Sequence, residues 1–321
     1  MITLESKATI PPKWMPRPLS RDALLNSAMM VYAHAMDRAN ATRTKKGTRS
    51  LVMPERFTVR APGVFKKLGG AMVGVYSQTA GLSCIAYTAS CLPVCYAGGD
   101  FFVNNNWIKG ATNFLFPDGA MAHASNLITW LENPSEWERA LDAQLSTLAL
   151  QGIRYFRING AGDLLLGQAE AWQRLVTRHR KIYFWGYTRS WADSALLPAI
   201  LALASKPNIS LWASLDRINI NCWLDLGMPL GLAAVLAREE RDYAYLLTKL
   251  YRAGIRDPRR VEIFPDHAIR GNVKGFYQIE DVRYTSCPKD RNIKAKVPIT
   301  CLICRLCIDR APRVPDKSME V

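Results

Sequence analysis

Seven of the eight cysteines in this 321-residue chain fall into two groups, and thiolates are ligands for iron and zinc. Cys287-x13-Cys301-x2-Cys304-x2-Cys307 puts three sulfurs on one tight turn with a fourth from a distance. Structural zinc usually takes two pairs of cysteines from two knuckles, whereas Cys-x2-Cys-x2-Cys plus a remote ligand fits the corners of a four-iron cubane. This group is expected to hold a closed 4Fe-4S cluster, with zinc as the alternative metal. Cys84-x6-Cys91-x3-Cys95 supplies only three sulfurs from a loop flanked by Gly81, Pro93 and Gly98. A four-iron cluster held there keeps one iron without a protein ligand, and an open iron is where chemistry happens. Two alternatives stand beside it: zinc completed by His123 or another fourth ligand, or three buried thiols with no ligand. Cys222, alone in Asn221-Cys222-Trp223, reads as an ordinary buried cysteine.

The elements that must position these groups follow from hydrophobic periodicity. Six short β-branched or aromatic runs, at 71–76, 153–158, 181–187, 208–214, 230–236 and 261–264, read as strands. Helical patterns lie between them at 135–150, 167–179, 191–205 and 239–253. Alternating strands and helices predict a parallel sheet, and the expected architecture is a partial (β/α)6 TIM-like barrel over residues 61–266. The run at 230–236 is ambiguous, because Ala233, Ala234 and Leu236 suit a helix as well. Residues 1–60 read as an N-terminal arm and helix: prolines precede a helical pattern over 19–41, with Ser20 as its cap. From His267 to the end, periodicity gives way to Pro, Lys and four cysteines, expected as a small metal-bearing extension over 267–321.

Composition narrows the class. With 49% hydrophobic residues and 10% aromatics the chain can bury a large core, which excludes disordered and collagen-like proteins. No apolar run approaches the roughly 20 residues that span a bilayer, and the proline-rich start has no apolar core of a secretory signal. A cytoplasmic, reducing location is expected, in which the cysteines are ligands and not disulfides. The 42 Lys and Arg exceed the 27 Asp and Glu by 15. Basic clusters at Arg43/Lys45/Lys46/Arg49, Lys66/Lys67, Arg174/Arg178/Arg180/Lys181 and Arg252/Arg256/Arg259/Arg260 point to a nucleic-acid or nucleotide partner, or to solvated helix faces.

Five motifs in order carry a family resemblance: Cys84-x6-Cys91-x3-Cys95-Tyr96-Ala97, then Arg157-Ile158-Asn159-Gly160-Ala161-Gly162-Asp163, Tyr187-Thr188-Arg189-Ser190, Ser214-Leu215-Asp216 and the final Cys-x2-Cys-x2-Cys. Over roughly residues 71–307 the chain resembles the phage- and plasmid-borne gene product 88 family. More distantly, the layout is similar to that of the radical S-adenosylmethionine (SAM) superfamily. That resemblance implies a SAM-responsive cluster on Cys84, Cys91 and Cys95, an auxiliary cluster on the C-terminal cysteines, and an electron donor as partner. It also implies cofactor-binding residues at the strand ends. Asn159, Gly160, Gly162 and Asp163 would meet the methionyl amine, Arg189 its carboxylate, and Ser214 and Asp216 the ribose hydroxyls. Asp266 and His267 would serve substrate contact or proton transfer. Each also has a structural alternative: a βα turn for the two glycines, helix caps for Asp163, Ser214 and Asp216, a surface charge for Arg189, and a buried histidine for His267. The competing reading of the whole chain is a nucleic-acid-binding protein, not an enzyme, whose cysteines hold structural metal.

Overall fold

A computed structural model gives the fold, and it describes residues 20–59, 73–80, 82–86, 88, 101–103, 106–108, 117–237, 239–265 and 276–287. Helix α1 (Arg21–Lys45) is capped by Ser20, whose Oγ accepts from the Ala23 backbone N at 3.2 Å. It runs a turn beyond the expected end at residue 41. Strand β1 (Val73–Val75) is followed by a small antiparallel pair, β2 (Phe101–Val103) and β3 (Asn106–Ile108), and by α2 (Pro117–Glu132) and α3 (Pro134–Leu150). Then strands and helices alternate: β4 (Tyr155–Ile158), α4 (Gln168–Arg178), β5 (Tyr183–Thr188), α5 (Leu197–Ala204), β6 (Ile209–Leu215), α6 (Ile220–Asp225), β7 (Ala233–Ala237), α7 (Glu240–Arg252) and β8 (Val261–Pro265). A hairpin, β9 (Phe276–Ile279) and β10 (Val282–Thr285), completes the described chain.

The six runs read as strands all enter one parallel sheet, in the order β1-β4-β5-β6-β7-β8. The order never reverses. Right-handed crossovers between successive neighbours then put every connecting helix on the same face. The core divides accordingly. Phe156, Ile158, Phe184, Ile209 and Leu211 pack with Leu141, Leu145, Trp172, Leu175, Ile200 and Leu203 of the helices. Further along the sheet, Ala213, Val235 and Ile263 meet Trp223, Leu246 and Leu250. The opposite face carries Val73, Val75, Tyr155, Tyr183, Trp185 and Tyr187 in a cluster of their own.

That second face is curved. The rings of Tyr187 on β5 and Phe264 on β8 meet edge to face with centroids 5.0 Å apart. Those strands lie three spacings apart, about 14 Å in a flat sheet. α1 belongs to the helix-side core: Leu24, Ala28, Val31, Tyr32, Ala35 and Ala39 are buried in the cluster that holds Ala124, Leu127 and Ile128 of α2.

Three expectations need correction. The single helix over 191–205 is instead a 3-10 turn at Ser190–Ala192 and a short α5. The Asp193 side chain accepts from the Ala195 backbone N at 2.8 Å and holds a turn, and Pro198 suits only the first turn of the helix that follows. The strand expected at 230–236 lies at Ala233–Ala237, because Gly231 takes a left-handed φ of 66°. Finally, the segment after His267 is not devoid of regular structure. Tyr277, Val282 and Tyr284 are buried at alternating positions of β9 and β10, and Glu280 turns the hairpin with a φ of 51°.

Candidate functional site

The carboxyl ends of all six parallel strands open on one edge of the sheet, the place where open α/β sheets bind ligands. Two loops meet there first. The chain leaving β1, residues 76–80, lies against the chain leaving β4, residues 159–163. Gly160 N donates to Tyr76 O at 2.7 Å, Gln78 N to Ala161 O at 3.0 Å, and Ala161 N to Ser77 Oγ at 3.1 Å. This approach demands the glycines. A Cβ on Gly160 would stand 2.5 Å from Val75 Cγ1, and one on Gly162, at φ 80°, would stand 2.9 Å from the Gln78 carbonyl oxygen. Beneath them Gln78 and Gln168 exchange side-chain amide bonds at 2.9 and 3.1 Å. Tyr76 donates to Gln78 Oε1 at 3.1 Å and accepts from Trp137 Nε1 at 2.8 Å. Burial pushes the Tyr76 hydroxyl well above its usual pKa, so it stays protonated and donating.

Charged side chains, two hydroxyls and two backbone N–H groups form a hydrogen-bonded circuit beside these loops. Asp163 Oδ1 accepts from Thr188 Oγ1 at 2.5 Å and Leu164 N at 2.8 Å, and its Oδ2 accepts from Arg189 N at 2.7 Å. The Asp163 backbone N donates to Ser83 Oγ at 3.2 Å. From Arg189, the guanidinium Nη1 donates to Asp216 Oδ2 at 2.6 Å, and Thr88 Oγ1 donates to the same oxygen. Asp216 Oδ1 accepts from the backbone N atoms of Ile218 at 2.8 Å and Asn219 at 3.2 Å. The circuit therefore runs Ser83, Asp163, Arg189, Asp216, Thr88. Cys84 lies in the short stretch between its two ends, so the start of the cysteine loop is tied to β4, β5 and β6.

Burial raises the carboxyl pKa of Asp163, and its bonds from Thr188, Arg189 N and Leu164 N oppose that rise. Arg189 and Asp216 are both buried, and a charge pair in such a place holds only because its partners are hydrogen-bonded. Asn159 differs from its neighbours. It is 2% exposed, adopts a left-handed φ of 50°, and among the described residues neither its Nδ2 nor its Oδ1 has a hydrogen-bond partner.

The family model for gene product 88 matches residues 36–310, which is most of the chain. The chain belongs to the gene product 88 family. No curated protein and no solved structure matched it. The matched range of this gene product 88 protein includes both cysteine groups and every residue of the circuit.

Within this gene product 88 fold, Asn159, Gly160, Gly162, Asp163, Arg189 and Asp216 are brought together at the strand ends. Ser214 is half-buried just before Asp216, and its carbonyl accepts from Asn219 Nδ2 at 3.1 Å. Cys84 is half-buried on the β1 loop. Cys287 is buried beside β8, the last strand of the sheet and the farthest from β1, where its N donates to Ile263 O at 2.8 Å. Cys222 is buried on α6, and that burial pushes its thiol pKa up. Burial lowers the pKa of His123 on α2 to about 4, leaving a neutral imidazole at pH 7, the form that binds metal. Cys91, Cys95, Cys301, Cys304, Cys307, Asp266 and His267 lie outside the described residues. Among the described residues there is no group of three or more His, Cys, Asp or Glu that could hold a metal ion.

Sequence reasoning missed Ser83, Thr88, Gln78 and Gln168, whose only signal was their place in the two motifs or beside them. The basic clusters also separate. Arg174 bonds Glu138 at 2.6 Å and Arg178 bonds Glu138 and Asp142, so these cations tie α4 to α3. Arg259 pairs with Asp257, whereas Lys45 at the end of α1 and Lys46 and Arg49 beyond it are exposed. Among the described residues, no helix is long and apolar enough to cross a membrane.

Proposed function

We propose that this gene product 88 protein is a cytoplasmic iron–sulfur protein of radical-SAM-like type, built on a partial (β/α)6 barrel and acting on a nucleic acid or nucleotide. The observation that carries the reading is the hydrogen-bonded circuit that fixes Ser83 and Thr88, on either side of Cys84, to three strand ends. Such a clamp has a purpose if the loop must hold a group in a set place over the carboxyl edge. The sequential strand order, the helices on one face and the ring contact between Tyr187 and Phe264 support a barrel-like closure.

The donor chemistry fits the group. Cys84 stands at the mouth of the sheet, and Cys91 and Cys95 follow on the same loop. Three thiolates suit a 4Fe-4S cluster with one open iron. When bound, such a cluster would pass one electron to SAM, with the C-terminal cysteines holding a second, auxiliary cluster and an external donor supplying the electron. The chain's own part is positional. Gly160 and Gly162 let the backbone approach closely, Arg189 and Asp216 neutralise each other, and Asp163 holds the loop through Thr188 and backbone N–H groups. Ser214, half-buried beside them, offers a hydroxyl at the strand edge, and Asp266 and His267 follow β8 as candidates for proton transfer.

Anaerobic purification followed by iron, sulfide and zinc analysis tests the metal. Release of 5′-deoxyadenosine from SAM under a reductant tests the reaction. A second reading, a nucleic-acid-binding protein with structural zinc or iron–sulfur sites, draws on the exposed Lys45, Lys46 and Arg49. Zinc without iron would favour it.

A further inference from the structure

Asn159 combines two costs that a chain normally avoids. A left-handed φ of 50° favours glycine even over Asn, and a buried carboxamide with neither atom bonded among the described residues forfeits its hydration. Glycine at this position would remove both costs, and glycine does occupy the next position. The side chain itself must therefore be needed.

Its location says for what. Asn159 stands one residue beyond the paired Ile158 and Gly186, level with Tyr187, whose half-buried ring meets Trp212 and Phe264. Of the charged groups nearby, Asp163, Arg189 and Asp216 bond to one another or to backbone, and Arg157 lies over the Tyr187 ring. Asn159 thus offers a neutral, planar donor beside an acceptor, at the level of an aromatic ring. Its complement is a planar edge with an acceptor beside a donor, which is how asparagine reads the N6 and N7 atoms of adenine. The Arg157 guanidinium, on the same face of β4, lies over the Tyr187 ring with 5.2 Å to its centroid, so a base would stack on that planar cation and not on the bare ring.

We infer that the Asn159 carboxamide is a specificity-determining contact for an adenine base bound at the carboxyl edge of the sheet. This deepens the proposed function, since SAM carries an adenine, but it rests on that reading only for the larger ligand and needs no metal for its test. The full-length protein as purified is titrated with adenosine, with purine riboside, which lacks the 6-amino donor, and with nicotinamide, which presents a carboxamide instead of a base.

The wild type is expected to prefer adenosine over purine riboside by about 10-fold or more. N159G is expected to lose that preference while melting no lower than the wild type. N159D, which tolerates the same φ and keeps an acceptor but no donor, should lose most of it and serves if N159G does not fold. Equal binding of the two nucleosides by the wild type, a preference that survives in N159G and N159D, or tighter binding of nicotinamide would overturn the inference. Iron content is measured alongside. A wild type without iron that still discriminates adenosine supports the Asn159 contact and removes only the radical-SAM-like reading.

Discussion

Arg189 Nη1 lies 2.6 Å from Asp216 Oδ2, and both side chains are almost wholly removed from solvent. The pair joins the end of β5 to the end of β6. Through Thr88 Oγ1 it also holds the loop that starts at Cys84.

Removing one member should leave the other charged and buried. Asp216→Ala is expected to lower unfolding free energy by about 3–5 kcal/mol, read from urea denaturation. The double change Arg189→Met with Asp216→Leu should recover at least half of that, because replacing a buried pair with apolar groups avoids the stranded charge. A loss below about 1 kcal/mol for the single variant, the range of exposed pairs, would show that the pair does not anchor the loop.

Asp163 gives a pH signature with a definite sign. Burial raises its folded pKa above the unfolded value, so its contribution to stability is fully present below the unfolded pKa and is lost as pH rises through the folded one. Relative to Asp163→Asn, the wild type should therefore lose stability as pH climbs from the acid range toward neutrality. A stability difference between the two proteins that is flat, or that grows in favour of the wild type over that climb, contradicts the assignment.

Gly162 sits at φ 80° with the Gln78 carbonyl in the way of any Cβ. Gly162→Ala should cost about 2 kcal/mol or more by combining backbone strain with a clash that cannot relax cheaply. Gly152 has the same φ of 80° with nothing within 4 Å of its Cβ position. Gly152→Ala is the control, and thermal melts of the two should differ with Gly162→Ala the lower.

Part of this site could be read from the sequence because local patterns record it. Short strands alternating with helices placed Asp163, Arg189 and Asp216 at strand ends, and the Gly-rich run after Ile158 marked a close backbone approach. The circuit itself was not legible. Thr88 and Asp216 are 128 residues apart and Ser83 and Asp163 are 80 apart, and residue types do not reveal such partners. Helices α2 and α6 were not expected; in α2, although Pro117 and Asp118 mark its start, Gly, His, Ser and Asn blur the buried face of Ala124, Leu127 and Ile128. The hairpin at 276–285 was hidden by the Cys- and Lys-rich sequence around it, yet its alternation of buried and exposed residues was present throughout.

The basic clusters should behave differently in binding. Replacing Lys45, Lys46 and Arg49 with Ala should weaken nucleic-acid affinity and flatten its salt dependence, the log–log slope shrinking by about 0.9 for each phosphate that is no longer neutralised. Arg174→Ala and Arg178→Ala should leave that slope unchanged, since Glu138 and Asp142 already take their charge. Fluorescence anisotropy over a salt series reads both, and equal effects would refute the distinction.

The most direct test of the central claim is metal analysis of the anaerobically purified wild type beside Cys84→Ala. The account predicts iron and sulfide in the wild type and a Cys84→Ala protein that loses the loop cluster while retaining the iron of the C-terminal cysteines. Zinc alone in the wild type, or iron content unchanged by Cys84→Ala, would contradict it.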